Sequence, residues 1–384
     1  MYADELLRPW HSALVAIGCG ASPFDIHTHT GSNDPDGFRC QAPELIAALE
    51  PARARAVVFT MHEPGGYPLA NDRVLAESSA SGGRLVPFCR VDPPRDGARE
   101  AARCADRGAR GIKLHPRAEG FGLDDPSVGD VFAIARERAL PVIVHAGRGI
   151  PALGRHAVAL AGAFPTVPLI LAHAGICDLA WLWRHAEERL NIYYDTAWWN
   201  PADLLALFAL VPAGRILFGS DAPYGTPVQA AVLTMRCALQ AGLSLEQLES
   251  VMGGQAKRLV SGQPAIDLGP PPGASAPGLD VLLERVYSLL LTAIGGMLRG
   301  DSGEEYLGLA RLACEVGEEA PQAPVCRSVL ALLDRHERHV AAGAAESELF
   351  PGVHLVVTAA TVARTPRAPL PAELEAVEVG ERLP

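Results

Sequence analysis

His27 and His29 stand two residues apart in FDIHTHT (24–30), a run whose alternation and β-branched content predict a strand. Side chains at i and i+2 leave a strand on the same face, so both imidazoles can converge on one point. Later strand-like runs end in the same chemistry. His145 closes VIVH, His173 closes LILAH, and Asp221 follows RILFGS. Imidazole nitrogens with a carboxylate oxygen, and one position left for water, form the ligand set of a catalytic zinc or similar divalent ion. An HxH pair alone occurs in many unrelated strands, and its weight here comes from the later His and Asp. Such an ion lowers the pKa of bound water to about 7 and supplies hydroxide at neutral pH.

Those residues need a scaffold that brings distant strand ends together. Strand-like runs occur at 24–30, 55–62, 84–91, 111–116, 141–147, 168–175, 191–197 and 215–223. Between them lie stretches with helical periodicity, including 98–108, 127–139 and 201–212. Eight strands, each followed by a helix, predict an α/β chain folded as a TIM (β/α)8 barrel. The C-terminal ends of barrel strands share one face, where the active sites of this architecture lie. A doubly wound sheet fits less well, because it gathers a site at one switch point and not at many strand ends.

At these motifs the chain resembles a known family. DIHTH, VIVHAG, LILAHAG and FGSDAP are similar to the metal-site motifs of the amidohydrolase superfamily, in the branch that includes aminocarboxymuconate-semialdehyde decarboxylase. The resemblance spans roughly 24–262 and ends in GGQAKRLVSG, where Gln255 replaces a common Asn. It implies His27, His29, His145 and Asp221 as ligands, and His173 as a catalytic residue or a ligand to a second metal. The implied cofactor is a divalent metal, zinc first, as one ion or two. Asp221 would take a proton from the metal-bound water and return it to the leaving group, while His173 polarises the substrate carbonyl. The leading expectation is hydrolysis of an amide, ester or lactone of a small polar molecule. Non-oxidative decarboxylation of a small carboxylic acid is the alternative on the same site, and a catalytically inactive metal-bearing binding module is the third.

Other residues invite a role and carry a plainer one beside it. Lys113, in GIKLHP, would bridge two metals if carboxylated; an unmodified lysine paired with an acid or with substrate is the preferred reading. His115 and Arg117 are candidate pocket residues, with Arg117 equally placed as a solvated loop charge. Arg148, directly after VHAG, suits a bidentate grip on a substrate carboxylate or an ordinary surface ion pair. Trp198 and Trp199 follow the seventh strand, one to stack on substrate and one to pack. Asp195 reads as a partner of a ligand, and His62 and Glu63 as specificity residues. His156, His185, His336 and His339 sit in charged helical contexts and are expected to face solvent.

The bulk composition agrees with a soluble enzyme. The chain has 384 residues, 49% hydrophobic and 20% charged, with a formal net charge of -11. That charge argues against nucleic acid and anionic membrane as partners, and leaves a small molecule. Eight scattered cysteines form no CxxC pair and read as reduced thiols. No signal peptide or membrane span is evident, so the expected location is the cytoplasm. The barrel domain is expected at 1–262, a Pro/Gly-rich linker at 263–277, a helical region at 278–363 and a disordered tail at 364–384. Helices are expected over 279–298, 302–317 and 325–343, the second with a Ser302/Glu305 capping box. Their apolar faces must pack on the barrel or on another chain, so a homo-oligomer stays open.

Overall fold

The computed structural model describes residues 4–371 except 19, 21, 148, 151–152, 177, 274–278 and 344–349. Cys19, Cys177, Arg148 and residues 372–384 therefore lie outside the described residues.

The β-branched runs form a ring of parallel strands. In chain order they are β1 (Phe24–Thr30), β2 (Arg55–Thr60), β3 (Leu85–Pro87, continuing as Cys89–Arg90), β4 (Ile112–Leu114), β5 (Val142–Val144), β6 (Leu169–Leu171), β7 (Ile192–Asp195) and β8 (Ile216–Leu217). Each pairs in parallel with the next. The two parts of β3 meet at Phe88, whose N–H donates to Val58 O at 2.9 Å. First and last strands are joined by Ile26 N–H to Phe218 O (2.9 Å), Asp221 N–H to His27 O (2.9 Å) and His29 N–H to Ala222 O (2.7 Å). The chain is a TIM barrel, and it carries a helical C-terminal region. A helix follows every strand, from Ala42–Leu49 after β1 to Pro227–Ala241 after β8.

Inside the ring, Phe24, Ile26, Val57, Phe59, Phe88, Ile143, Ile170 and Leu217 form one apolar cluster, with Ala256 and Leu259 packed on it. It fills the barrel, so the structure is a packed core with a site only at one mouth. A larger cluster lies between strands and helices.

Two helices fall outside the expected set, for different reasons. Asp4–Val15 buries Leu7, Trp10 and Leu14 against the last barrel helix, Pro227–Ala241. Its apolar i, i+3, i+7 stripe is an ordinary amphipathic signal. Val353–Arg364 is buried from Val353 to Ala363. Its Val- and Thr-rich sequence has modest intrinsic helicity, and burial on all sides is what sustains it. Thr358, Thr361 and Thr365 return their hydroxyls to the carbonyls four residues earlier, at 2.8, 2.9 and 2.6 Å.

The C-terminal helices Val281–Met297, Glu304–Ala313 and Ala323–Ala341 are as the periodicity predicts, within a few residues. The Ser302/Glu305 capping box is not formed. Gly303, with φ of 70°, is the N-cap, and Ser302 Oγ accepts only from Glu304 N–H at 3.4 Å. His336 is a second correction. It is buried, with a ring nitrogen 3.2 Å from Gly352 O, because it lies on the inner face of its helix beside Leu332 and Leu333.

Long-range polar contacts bind the ends of the chain to the barrel. Fully buried Arg236 donates from Nε to Thr365 Oγ1 (2.9 Å), from Nη2 to Thr365 O (2.9 Å) and from Nη1 to Pro369 O (2.7 Å). The stretch expected to fray from residue 364 is thus pinned at its start. Residues 263–273, expected as a linker, lie against the barrel. Gln255 donates to Gly214 O (2.5 Å) and Ile266 O (3.0 Å), and its Oε1 accepts from Ile266 N–H (3.0 Å). No helix among the described residues is long and apolar enough to cross a membrane.

Candidate metal centre

Strict alternation along β1 would turn His27 away from the side that Ile26 faces. The register of β1 on β2 slips between Asp25 and Thr28, and such an irregularity re-aims the following side chains. Below it, the buried carboxylate of Asp25 accepts N–H groups from His27 and Ser220, both at 3.0 Å, and ties β1 to the end of β8. Burial pushes the Asp25 carboxyl up to about 7.

His27, His29 and Asp221 come together. Asp221 Oδ1 lies 3.2 Å from His27 Nε2 and 3.1 Å from His29 Nε2. They are the one group of three or more His, Cys, Asp or Glu among the described residues arranged to share an ion. Asp221 and His173 both adopt left-handed backbone, φ of 59° and 57°. Non-glycine residues in that region cost about 1–3 kcal/mol each and concentrate at functional sites. Hydrogen bonds hold them there: Asp221 N–H to His27 O at 2.9 Å, and His173 N–H to Asp195 Oδ1 at 2.8 Å.

The donor atoms are of the types that a divalent cation takes. Burial holds the His27 imidazole well below its usual pKa, with the Lys113 charge adding to the effect, so the ring is neutral. A neutral ring has one N–H, and Asp195 Oδ2, 2.7 Å from Nδ1, takes it. Nε2 then presents a lone pair beside Asp221 Oδ1, and the Lys113 ammonium reaches the same nitrogen at 3.2 Å. Ligand atoms around a tetrahedral ion with bonds of about 2.0–2.1 Å lie roughly 3.3 Å apart. The observed 3.1 and 3.2 Å fit that set. His29 is likewise neutral, its pKa lowered by burial and by its charged neighbours.

Asp195 is buried and does two jobs: Oδ2 fixes the His27 tautomer, and Oδ1 accepts from His173 N–H and Ala197 N–H. A carboxylate behind a ligating histidine orients the ring and raises its basicity. Asp195→Asn is therefore expected to weaken metal binding about 10–100-fold, read by competition with a chromophoric chelator. Unchanged affinity would show that Asp195 serves only the fold.

His145 and His173 are paired with each other. Ala197 O, 2.8 Å from His173 Nδ1, can only accept, so the proton is on Nδ1 and Nε2 is an acceptor. It is 2.9 Å from His145 Nδ1, which donates. The proton of His145 is thus on Nδ1 and its lone pair on Nε2, as for His27. His115 stacks on His145 with ring centroids 3.9 Å apart at 10°. Gly147 permits the crowding, since a Cβ there would sit 2.8 Å from His145 Nε2 and 3.3 Å from His173 Cδ2.

These side chains line a cavity of about 500 Å³ together with His62, Arg90, Arg117 and Tyr224. Lys113 is fully buried, its Nζ 3.2 Å from His27 Nε2 and 4.6 Å from the centre of the Phe59 ring. Burial lowers its pKa, opposed by the charges of Asp221 and Asp195. Glu63 is drawn away from the cavity by Arg73 and Asn33. Trp198 is beside the site, its ring centre 6.3 Å from that of His173. His156 and His185 pair with Asp124 and Glu188 at the surface.

Sequence reasoning passed over Arg90 and Tyr224. Arg90 ends β3 and is buried, with Nη2 2.6 Å from Glu119 Oε1 and Nε without a partner among the described residues. Its signal was its place at the end of FCR, a strand end like those that yielded the histidines. Tyr224 stands edge-on to His29, ring centres 5.2 Å apart at 88°. It donates to Asp34 at 2.7 Å and so ties the β8 loop to the loop after β1.

The chain is thus a parallel barrel with a candidate metal site of His, His and Asp gathered at the C-terminal ends of its strands. The family model described as Amidohydrolase matches residues 24–261, and the chain belongs to that amidohydrolase family. Among curated proteins no sequence matches. Solved structures agree on the fold. 5-Carboxyvanillate decarboxylase LigW from Sphingomonas paucimobilis is 16% identical with a TM-score of 0.52, covering 63% of this chain and 99% of that one. The uncharacterised TIM-barrel protein Bb4693 from Bordetella bronchiseptica is 16% identical with a TM-score of 0.51, covering 63% and 99%. 2,6-Dihydroxybenzoate decarboxylase in complex with 2,6-dihydroxybenzoate is 14% identical with a TM-score of 0.50, again covering 63% and 99%. At these identities the likeness is one of fold.

Proposed function

We propose that this chain is a metal-dependent, non-oxidative decarboxylase of a small carboxylic acid, with His27, His29 and Asp221 as ligands and His145 Nε2 completing the set. The observation that carries the reading is the convergence of His27 Nε2, His29 Nε2 and Asp221 Oδ1 in a cavity lined by Arg90 and Arg117. The donor types accept zinc among several divalent ions. When bound, the ion supplies positive charge that orients the substrate and stabilises charge developing during reaction.

The chain's own groups do the rest. Arg90 and Arg117, which line this cavity, favour an anionic substrate, which a hydrolase of neutral amides or esters would not need. As the C–CO2 bond breaks, its electron pair stays on carbon and CO2 leaves. A proton held at Asp221 Oδ2, the oxygen turned toward His173 Nδ1 at 3.9 Å, replaces it. His173, with both ring nitrogens engaged, positions His145 and takes no proton itself. This departs from the carbonyl-polarising role expected of it. Two of the solved structures that share the fold are decarboxylases by name, which supports the choice over hydrolysis.

The test is CO2 release by metal-loaded protein from a panel of aromatic and unsaturated carboxylic acids, run beside neutral amides, esters and lactones. Expected is CO2 from at least one acid, reduced about 10²–10⁴-fold in Asp221→Asn. New carboxylate from a neutral substrate, with no CO2 from any acid, would make the enzyme a hydrolase.

A further inference from the structure

The family segment ends at residue 261, but the walls of the site do not. A second cavity, of about 360 Å³, opens beside the metal centre and shares Asp36, Arg117, His145, His173, Asp221 and Tyr224 with the first. Its far side is made by Trp198 and Trp199, by Gln229 from the last barrel helix, and by His354. His354 stands in the first turn of Val353–Arg364, in the C-terminal helical region.

This wall is built firmly. Gln229 Nε2 donates to His354 O at 3.1 Å, linking the barrel helix to the C-terminal one. The far end of the same helix is held by Arg236 on Thr365, and Arg364 pairs with Glu284. Trp198 Nε1 donates to Asp203 at 2.6 Å, which fixes that ring, and the two indole centres lie 5.8 Å apart at 41°.

We propose that the C-terminal helical region completes the substrate pocket, and that Trp198, Trp199 and His354 form a subsite for a flat, uncharged ring carried by the substrate. The proposal rests on the reading that this site takes a carboxylic acid. The geometry divides the work. Arg90 lies on the side of His27 and Arg117 stands where the two cavities meet, so a carboxylate is favoured there. Indole faces lie on the other side, where a flat apolar group gains dispersion and stacking contact. At 5.8 Å the indoles are too close to sandwich a ring, so it stacks on one face. Burial lowers the His354 imidazole to about 4, so at neutral pH this wall presents an uncharged edge. The volume of about 360 Å³ is ample for a ring-sized group.

The experiment follows tryptophan fluorescence of the metal-loaded full chain titrated with benzoate, 2-naphthoate and butanoate. The native protein should bind benzoate about tenfold more tightly than butanoate. His354→Trp narrows the subsite and should weaken benzoate about tenfold, whereas His354→Ala should shift preference toward 2-naphthoate over benzoate by about tenfold. The shift in the alanine variant is a gain for the larger ring, which misfolding does not produce. Equal affinity for benzoate and butanoate in the native chain, or selectivity untouched by both substitutions, would overturn the proposal. CO2 release is scored separately. Ring selectivity that responds to His354 without CO2 from any acid removes the decarboxylase reading and leaves the subsite. CO2 release with selectivity indifferent to His354 does the reverse.

Discussion

Replacing His27 and His29 together with alanine is expected to abolish metal binding and to lower turnover by at least about 10³-fold, because it deletes two of the three converging ligand atoms and leaves Asp221 with only His145 of the proposed set. The ligands are not part of the apolar cluster that fills the barrel, so secondary structure should survive. One structural cost is foreseeable. Asp195 Oδ2 loses its imidazole partner and Lys113 Nζ its contact with Nε2, both in buried surroundings. Asp195 keeps two backbone N–H donors on Oδ1, which limits the loss. Circular dichroism with elemental analysis separates the outcomes. A variant that folds, holds no metal and still turns over would mean that the chemistry lies elsewhere.

The second large effect concerns the C-terminal region. Arg236→Met should destabilise the protein by about 3 kcal/mol, read as a lower urea midpoint. The methionine keeps much of the apolar stem but leaves Thr365 O and Pro369 O without the guanidinium, and hydrogen bonds to a charged group are worth about 1.5–3 kcal/mol each. The helix Val353–Arg364 would lose its distal anchor, and the wall bearing His354 would loosen. Benzoate binding should therefore weaken in Arg236→Met even at temperatures where the barrel remains folded. A midpoint equal to that of the native chain would show that the apolar faces alone hold the region.

Much of this was legible in the sequence. The eight strands stood out as β-branched runs between turn signals. Period 2 placed His27 and His29 on one face, and strand ends pointed to His145, His173 and Asp221. Other features depend on three-dimensional detail that spacing does not encode. The register slip in β1 decides which way His27 points, and no residue type in DIHTH announces it. Whether a histidine is a ligand or the partner of one depends on which ring nitrogen is already engaged. In the proposed function His173 supports His145, whose Nδ1 lies 2.9 Å from its Nε2. Arg90 was missed because arginine at a strand end reads as solvated until its burial is known. His354 lies in a segment whose burial on every side left no amphipathic pattern to read. Ser302 and Glu305 have the capping-box spacing, but the chain enters that helix through Gly303.

The most direct test of the metal centre is the transition-metal content of the full-length native chain, purified from metal-replete growth and measured by elemental analysis. About one ion per chain is expected from a single cup of three or four ligands. A folded chain that retains no metal, and takes up none on titration with zinc, manganese, iron or cobalt, would contradict the reading of His27, His29 and Asp221 as ligands.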